Sequence, residues 1–287
     1  MRLMFVRNAT KLVAAAALAG ALFAAAGPAA AATAGPTPPR QSWSFAGPFG
    51  TYDQGQLQRG FRIYREVCAA CHSLKLVAFR NLSERGGPGF SEAQVKALAA
   101  EYQIEDGPND SGDMFKRPGR PSDRFPSPFA NENQARSANN GAVPPDFSVL
   151  AKARTYSRGF PLFLVDAAIQ YQEHGVDYIV ALLTGYRDPP PAGVTLLPGQ
   201  YYNDYMPGHV LSMAPPIAAG QIEYTDGTPN TVEQYSRDVA AFMMWAAEPK
   251  LEERKKTGLK VMIFLLVLTS LLYYSKKRLW SRVYAHA

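Results

Sequence analysis

The stretch REVCAACHSL, Arg65 to Leu74, holds both cysteines of a 287-residue chain, and a histidine follows the second one directly. Two thiols three residues apart serve as a redox-active disulfide, as half of a metal site, or as the anchors of a covalently bound haem. A thiol oxidoreductase sets the pair at a strand-to-helix junction in an alternating β and α pattern, which is absent here. As a structural staple, a loop this short would constrain the unfolded chain little. Zinc wants four ligands, and beyond Cys68, Cys71 and His72 the sequence offers only His174, His209 and His286, with no second C-x-x-C or H-x-x-x-H pair. The haem alternative uses every feature. Leu57, Phe61, Tyr64, Val67, Cys68 and Cys71 recur at three- and four-residue steps, which predicts one face of a helix running into the motif, with Gly55 and Gly60 weakening it slightly. On such a helix the thiols at i and i+3 can add to the two vinyl groups along one porphyrin edge, and His72, at i+4 from Cys68, aims its imidazole at the iron. C-x-x-C-H is the attachment signature of a c-type haem.

The ends of the sequence speak of location. Arg2, Arg7 and Lys11 precede an uncharged run from Leu12 to Gly27, and small residues with Ala-x-Ala patterns follow between Ala29 and Ala34. That order predicts a secretory signal peptide over residues 1–31, with a run too short for a comfortable membrane span. No twin-arginine pair precedes the run, which points to export of an unfolded chain with any cofactor added afterwards. At the other end, GLKVMIFLLVLTSLLYYS, Gly258 to Ser275, carries a single charge, Lys260. Eighteen residues at about 1.5 Å each reach ~27 Å, close to a hydrocarbon core of ~30 Å. Tyr273 and Tyr274 close the run, and Lys276, Lys277, Arg278 and Arg282 follow with no acid among them. An aromatic belt with a basic flank predicts a transmembrane anchor over 258–275 and a cytoplasmic tail over 276–287.

This division changes the meaning of the net charge of +6. The first 31 residues hold three bases and no acid, and residues 251 to 287 hold eight bases and two acids, so the intervening region is net acidic. The basicity belongs to the targeting and membrane segments, and nucleic acid is excluded as an expected partner. Residues 32–250 are within the range of one exported domain, entered through the stiff PTPPR spacer, Pro36 to Arg40. FPLFLVDAAIQYQ from Phe160 and GVDYIVALLTGY from Gly175 predict two further helices. TVEQYSRDVAAFMMWAA predicts another, opened by a T-x-x-Q capping box, Thr231 to Gln234, and ended by Pro249. Between them lie Gly107 to Pro145 and Arg187 to Pro229, rich in Gly, Pro, Asn and Asp and read as long loops. With so little sheet, a flat apolar cofactor is expected to organise the core.

An electron-transfer haem takes a sixth ligand, most often a methionine sulfur. Met1 and Met4 fall in the signal, Met262 in the anchor and Met114 in a charged loop, while Met243 and Met244 fit helix packing. Met206 and Met213 remain, in YMPGHVLSMAPPI, and spacing barely separates them. Pro215 and Pro216 fix the backbone just after Met213 and favour it, with His209 as an alternative ligand.

The ordered set REVCAACHS, ANNGAVPPDFS, YIVALLTGY, GHVLSMAPPI, YTDGTP, DVAAFMMWAAEP and RKKTGLK resembles cytochrome c1, the membrane-anchored haem c subunit of the ubiquinol–cytochrome c reductase, the cytochrome bc1 complex. The resemblance implies a mainly α fold: a cytochrome c-like haem domain with long loop insertions, plus one C-terminal transmembrane helix. It implies one haem c, covalent through Cys68 and Cys71, with His72 and Met213 as axial ligands, Arg154 and Tyr178 near the propionates, and Pro144 and Pro145 packed close to the haem. It implies a subunit of a quinol–cytochrome c reductase that takes one electron from the Rieske iron–sulfur protein and passes it to a soluble or membrane-tethered cytochrome c. The implied partners are a cytochrome b subunit, the Rieske protein and the membrane, within a dimeric complex. With the export signal, the implied location is a bacterial inner membrane, single-pass, with the haem domain in the periplasm. Tyr156 to Gly175 reads as an inserted helical segment relative to shorter members. The acidic stretch EYQIEDGPNDSGD, Glu101 to Asp113, is a candidate docking site for a positively charged cytochrome c. Two rival functions differ in class: a self-contained periplasmic cytochrome serving another quinol or terminal oxidase, and a membrane-tethered binding module without haem.

Overall fold

The computed structural model describes residues 36–284; the expected signal peptide, residues 1–31, lies outside the described residues. The described chain is mainly helical. Helix α1 (Gln54–Glu66) leads into a 3-10 turn at Cys68–Ala70, and a second 3-10 turn occupies Phe79–Ser83. Then come α2 (Glu92–Ala100), a hairpin of β1 (Gln103–Asp106) and β2 (Phe115–Pro118), α3 (Glu132–Ala138), α4 (Leu150–Ala153), α5 (Leu162–Ile169) and α6 (His174–Thr184). A two-residue pairing of β3 (Tyr201–Tyr202) with β4 (Val210–Leu211) precedes α7 (Val232–Ala247) and α8 (Leu251–Tyr284). Both strand pairs are antiparallel, β1 running from Gln103 opposite Pro118 to Asp106 opposite Phe115.

The core is the crossing of α1 with α7, flanked by α6. Leu57, Phe61, Ile63 and Tyr64 of α1 are buried, as the helical spacing predicts. Tyr64 stacks on Phe242 at 5.7 Å and Phe61 tilts against the same ring at 5.6 Å. Gly60 marks the closest approach: a β-carbon there would stand 2.1 Å from the Asp238 carbonyl oxygen and 2.7 Å from the Phe242 β-carbon. The glycine that weakens α1 locally is therefore what lets α7 reach it. Beside this contact, fully buried Asp238 accepts from Arg59 Nε at 2.9 Å, the Tyr224 hydroxyl at 3.0 Å and Gln234 Nε2 at 2.8 Å. A buried carboxylate is tolerable only when so partnered. On α6, buried Asp177 accepts from the Gln41 amide, Trp43 Nε1 at 2.9 Å and the Tyr171 hydroxyl at 2.6 Å, binding the entering segment to the helical body.

Several sequence expectations are corrected. Helix α1 does not carry through to His72: it stops at Glu66, because Val67 at φ −120° and ψ −57° leaves the α region and the motif winds as a tighter 3-10 turn. The T-x-x-Q box is half a box. Thr231 caps the Gln234 amide at 3.3 Å, but the Gln234 side chain serves Asp238 instead of reaching back. The tract read as loop from Gly107 contains β2 and α3, and α2 and α4 are further unpredicted helices. The buried side chains form one continuous cluster, from Trp43 to Leu251.

Helix α8 runs 34 residues, about 51 Å at 1.5 Å each, and starts two residues after Pro249. It extends past both ends of the expected 258–275 span. It is long and apolar enough to cross a membrane, and its apolar stretch is exposed throughout.

Candidate haem site

The motif sits where α1 leaves the core. The Cys71 and His72 amides both donate to the Cys68 carbonyl, at 3.1 and 2.8 Å, closing one tight turn. A 3-10 turn eclipses positions i and i+3, so Cys68 and Cys71 lie above one another more directly than on an α-helix, and the spacing argument survives the change of helix type. Both thiols are free; Cys71 is exposed and Cys68 half-buried. Burial pushes the Cys68 thiol up to about 12, with Cys71 beside it adding to the effect.

His72 is fixed from two sides. Its Nδ1 lies 2.8 Å from the Pro145 carbonyl oxygen, which can only accept, so Nδ1 carries the proton and Nε2 keeps its lone pair. Its ring stacks on Phe147 at 4.3 Å and 29°. Burial lowers the imidazole's pKa, outweighing the opposing Pro145 carbonyl and Asp146 charge, and so favours the neutral ring. The PPDFS loop that supplies these contacts is clamped onto the motif by Asp146. Its carboxylate accepts from the Ser73 hydroxyl at 2.7 Å, the Lys75 amide at 2.9 Å and the Ser148 amide at 2.8 Å. The Phe147 amide donates to the Ser73 carbonyl, and Tyr64 in the core reaches the His72 carbonyl at 3.3 Å.

The remaining candidates divide into two groups. Arg154, exposed at the C-terminal cap of α4, lies close enough to Tyr178 on α6 for its charge to oppose the rise that burial imposes on the phenol's pKa. The Tyr178 hydroxyl faces the Met206 sulfur at 3.7 Å, so this phenol contacts the methionine that the diproline argument disfavours. Met213 is half-buried, and its backbone carbonyl accepts from the Tyr186 hydroxyl at 3.1 Å; among the described residues no hydrogen bond engages its sulfur. His209 is a turn residue: φ is 60°, Nδ1 lies 3.1 Å from the Asn203 carbonyl, and the ring stacks on Tyr202 at 5.5 Å. Pro145 meets His72 through its carbonyl, while Pro144 precedes it in the same loop.

These residues fit a c-type haem. Two free thiols share one turn, an oriented imidazole leaves its Nε2 available, and a thioether sulfur stands unengaged on a proline-stiffened loop. Sequence reasoning missed Asp146 and Phe147. The signal was present: an aspartate two residues before a serine, directly after a diproline, is the pattern of a side-chain-closed turn. In the acidic stretch, two of the five acids are already engaged, Glu101 by Arg65 and Asp106 by Arg117.

The family model described as "Cytochrome C1 family" matches residues 43–283. The chain is 57% identical over 244 residues to "Cytochrome b/c1" of Bradyrhizobium diazoefficiens, a match that covers 85% of this chain and 36% of that protein, so the chain spans about a third of its length. It is 52% identical over 275 residues to "Cytochrome c1" of Blastochloris viridis, covering 95% and 96% of the two chains. It is 44% identical over 245 residues to "Cytochrome c1, heme protein, mitochondrial" of Saccharomyces cerevisiae, covering 85% and 72%.

Proposed function

The chain belongs to the cytochrome c1 family, and from that premise we propose that it is the haem c-carrying electron-transfer subunit of a cytochrome bc1 complex. In this reading it stands between a Rieske iron–sulfur protein, which gives it one electron, and a soluble or membrane-tethered cytochrome c, which takes it. Cytochrome b is its neighbour in the membrane, in a dimeric complex. Residues 32–250 form the haem domain on the periplasmic side of a bacterial inner membrane, and α8 anchors it with its C-terminus in the cytoplasm. The quinol chemistry belongs to another subunit.

The observation that carries the proposal is the closed turn from Cys68 to His72 with the imidazole locked by Pro145. Bound here, haem c supplies a one-electron centre. The chain's own part is to hold and tune it. Cys68 and Cys71 would hold it by thioether bonds from their shared turn at the end of α1. The Nδ1–H donation to Pro145 holds the His72 tautomer and orients Nε2, a contact that also raises ligand basicity. Met213 would supply the sixth ligand, its sulfur carried on the backbone that Pro215 and Pro216 stiffen. Arg154 and Tyr178 would approach the propionates, the one with a cation and the other with a hydroxyl that is free to turn from the Met206 sulfur.

Haem that stays on the polypeptide through denaturing electrophoresis and acid–acetone extraction is the expected result; complete extraction would overturn the reading. Met213→Leu is expected to lower the haem potential strongly and open the iron to added ligands, while Met206→Leu keeps a six-coordinate spectrum. The reverse pattern would transfer the ligand role to Met206.

A further inference from the structure

Helix α5 is inside out. Its only charged residue, Asp166, is 6% exposed, whereas Leu162, Phe163, Leu164, Val165 and Ile169 are between 43% and 51% exposed and the preceding Phe160 is 81% exposed. Asp166 is drawn inward by Arg158, which pairs with both carboxylate oxygens, and by His174 Nε2 at 3.1 Å. In water this arrangement shows solvent what a helix normally hides. Residues 162 to 165 are consecutive and complete a full turn, so their side chains point around the whole axis rather than along one stripe. A groove on a partner protein covers one face of a docked helix. A helix that is apolar on every side away from its tether matches a surrounding apolar medium.

Its position names that medium. Gln170, which caps α5, and Glu173 line a cleft together with Leu251 and Arg254 from the first turn of α8. The same cleft includes Gly47, and the adjoining loop places Phe49, 75% exposed, in a second cleft with Lys256 and Leu259. Leu259 is the start of the exposed apolar stretch of α8, eight residues and about 12 Å after Leu251. The C-terminal end of α5 therefore lies level with the charged turns of α8 that precede its apolar stretch, where a lipid interface would be.

We propose that α5, with Phe160 before it and with Phe49 beside α8, is a second membrane contact, an interfacial foot whose apolar side chains enter the headgroup and upper acyl layer of the bilayer. Apolar side chains at a membrane interface reach about 5–10 Å into that boundary. The domain is then held at two points, a span and a foot, which fixes its tilt above the membrane. The proposal rests on the reading of α8 as the span. Half-buried Arg158 and buried His174 tether Asp166, satisfying the helix's single charge within the protein.

The test uses the full-length, haem-loaded chain in vesicles of phosphatidylcholine and phosphatidylglycerol. Nitroxide labels are placed singly by Leu164→Cys, by Asp110→Cys in the β1–β2 loop as a water-side reference, and by Leu266→Cys in α8 as a lipid reference. Collision with oxygen, which concentrates in lipid, is compared with collision with a water-soluble nickel chelate, and only protein keeping the parental haem spectrum is scored. The Leu164 label is expected to favour oxygen several-fold relative to the Asp110 label, as the Leu266 label does. A Leu164 label that behaves like Asp110 while Leu266 stays in lipid overturns the foot and leaves the anchor standing. Water-like behaviour at both overturns the anchor and the foot with it. Shielding of Leu164 from both reagents means that a protein surface covers α5 and also overturns the proposal. Phe163→Cys repeats the measurement on an independent variant.

Discussion

Gly175 and Gly55 occupy the same place, the second position of an α-helix, in α6 and α1 respectively. Alanine gains up to about 1 kcal/mol over glycine inside a helix, and this local term is common to both sites. The surroundings differ. At Gly175 a β-carbon would stand 1.7 Å from the carbonyl oxygen of Ala151 in α4, with the Ala151 carbonyl carbon at 2.9 Å, and ordinary contact begins at 3.4 Å. The clashing atoms are backbone, so α4 has to retreat from α6 by a distance comparable to the clash itself. At Gly55 the nearest atoms are side-chain tips of Asp53 and Arg59 at 3.4 and 3.6 Å, which is free space for a methyl group. Overpacking of this kind costs about 1–3 kcal/mol. Gly175→Ala is therefore expected to lower stability by about 1–2 kcal/mol net, and Gly55→Ala to leave it unchanged or raise it by up to about 1 kcal/mol. Urea denaturation of the haem-loaded protein in detergent, followed by far-ultraviolet circular dichroism, reads both as shifts in midpoint at constant slope. Because α4 ends on Arg154 and α6 carries Tyr178, the Gly175 variant is also expected to shift the haem potential while the Gly55 variant does not. Equal midpoints for the two variants would refute the claim that close approach of α4 and α6 is what requires Gly175.

Asp146→Ala removes the acceptor of three hydrogen bonds that hold the PPDFS loop on the motif, and a loss of about 2–4 kcal/mol is expected on the same urea assay. A hydrogen bond with Arg117 holds the Asp123 carboxyl down to about 2, against about 3.9 in the unfolded chain, so the stability it contributes is full above pH ~4 and is lost as pH falls through ~2. Arg117→Met should therefore be less stable than the parent at neutral pH, with the gap closing between pH ~4 and ~2; a gap unchanged across that window would contradict the pairing. If the β1–β2 hairpin guides a positively charged cytochrome c, neutralising Glu105, Asp110 and Asp113 should slow association several-fold at low salt, and added salt should erase the difference. Second-order electron-transfer rates measured against ionic strength decide this, and equal rates at low salt would place docking elsewhere.

What was legible in the sequence follows from what each signal depends on. The apolar faces of α1, α6 and α7 repeat within one element, so their periodicity can be read without knowing what they pack against. The C-x-x-C-H spacing is equally local, which is why it survived the replacement of an expected α-helix by a 3-10 turn. Helix α2 was legible and overlooked: Ser91 and Gln94 form a complete capping box, the Ser91 hydroxyl accepting from the Gln94 amide at 3.2 Å and the Gln94 side chain from the Ser91 amide at 2.8 Å. The box at Thr231 carried the same local signal and gave half the structure, because buried Asp238 competed for Gln234 and a buried carboxylate gains more from that donor than an exposed helix terminus does.

The glycines show where local reading reverses sign. Taken alone, Gly60 reads as a cost of up to about 1 kcal/mol to α1. The cost is real, yet any β-carbon at that position would drive α7 away from α1 and open the contact that carries Asp238, Phe242 and the Tyr64 ring. That ring is also what reaches the His72 carbonyl, so the position of the imidazole depends on a helix crossing more than ten residues upstream. No window around the haem motif contains this information, since it depends on a residue whose sole contribution is the side chain it lacks.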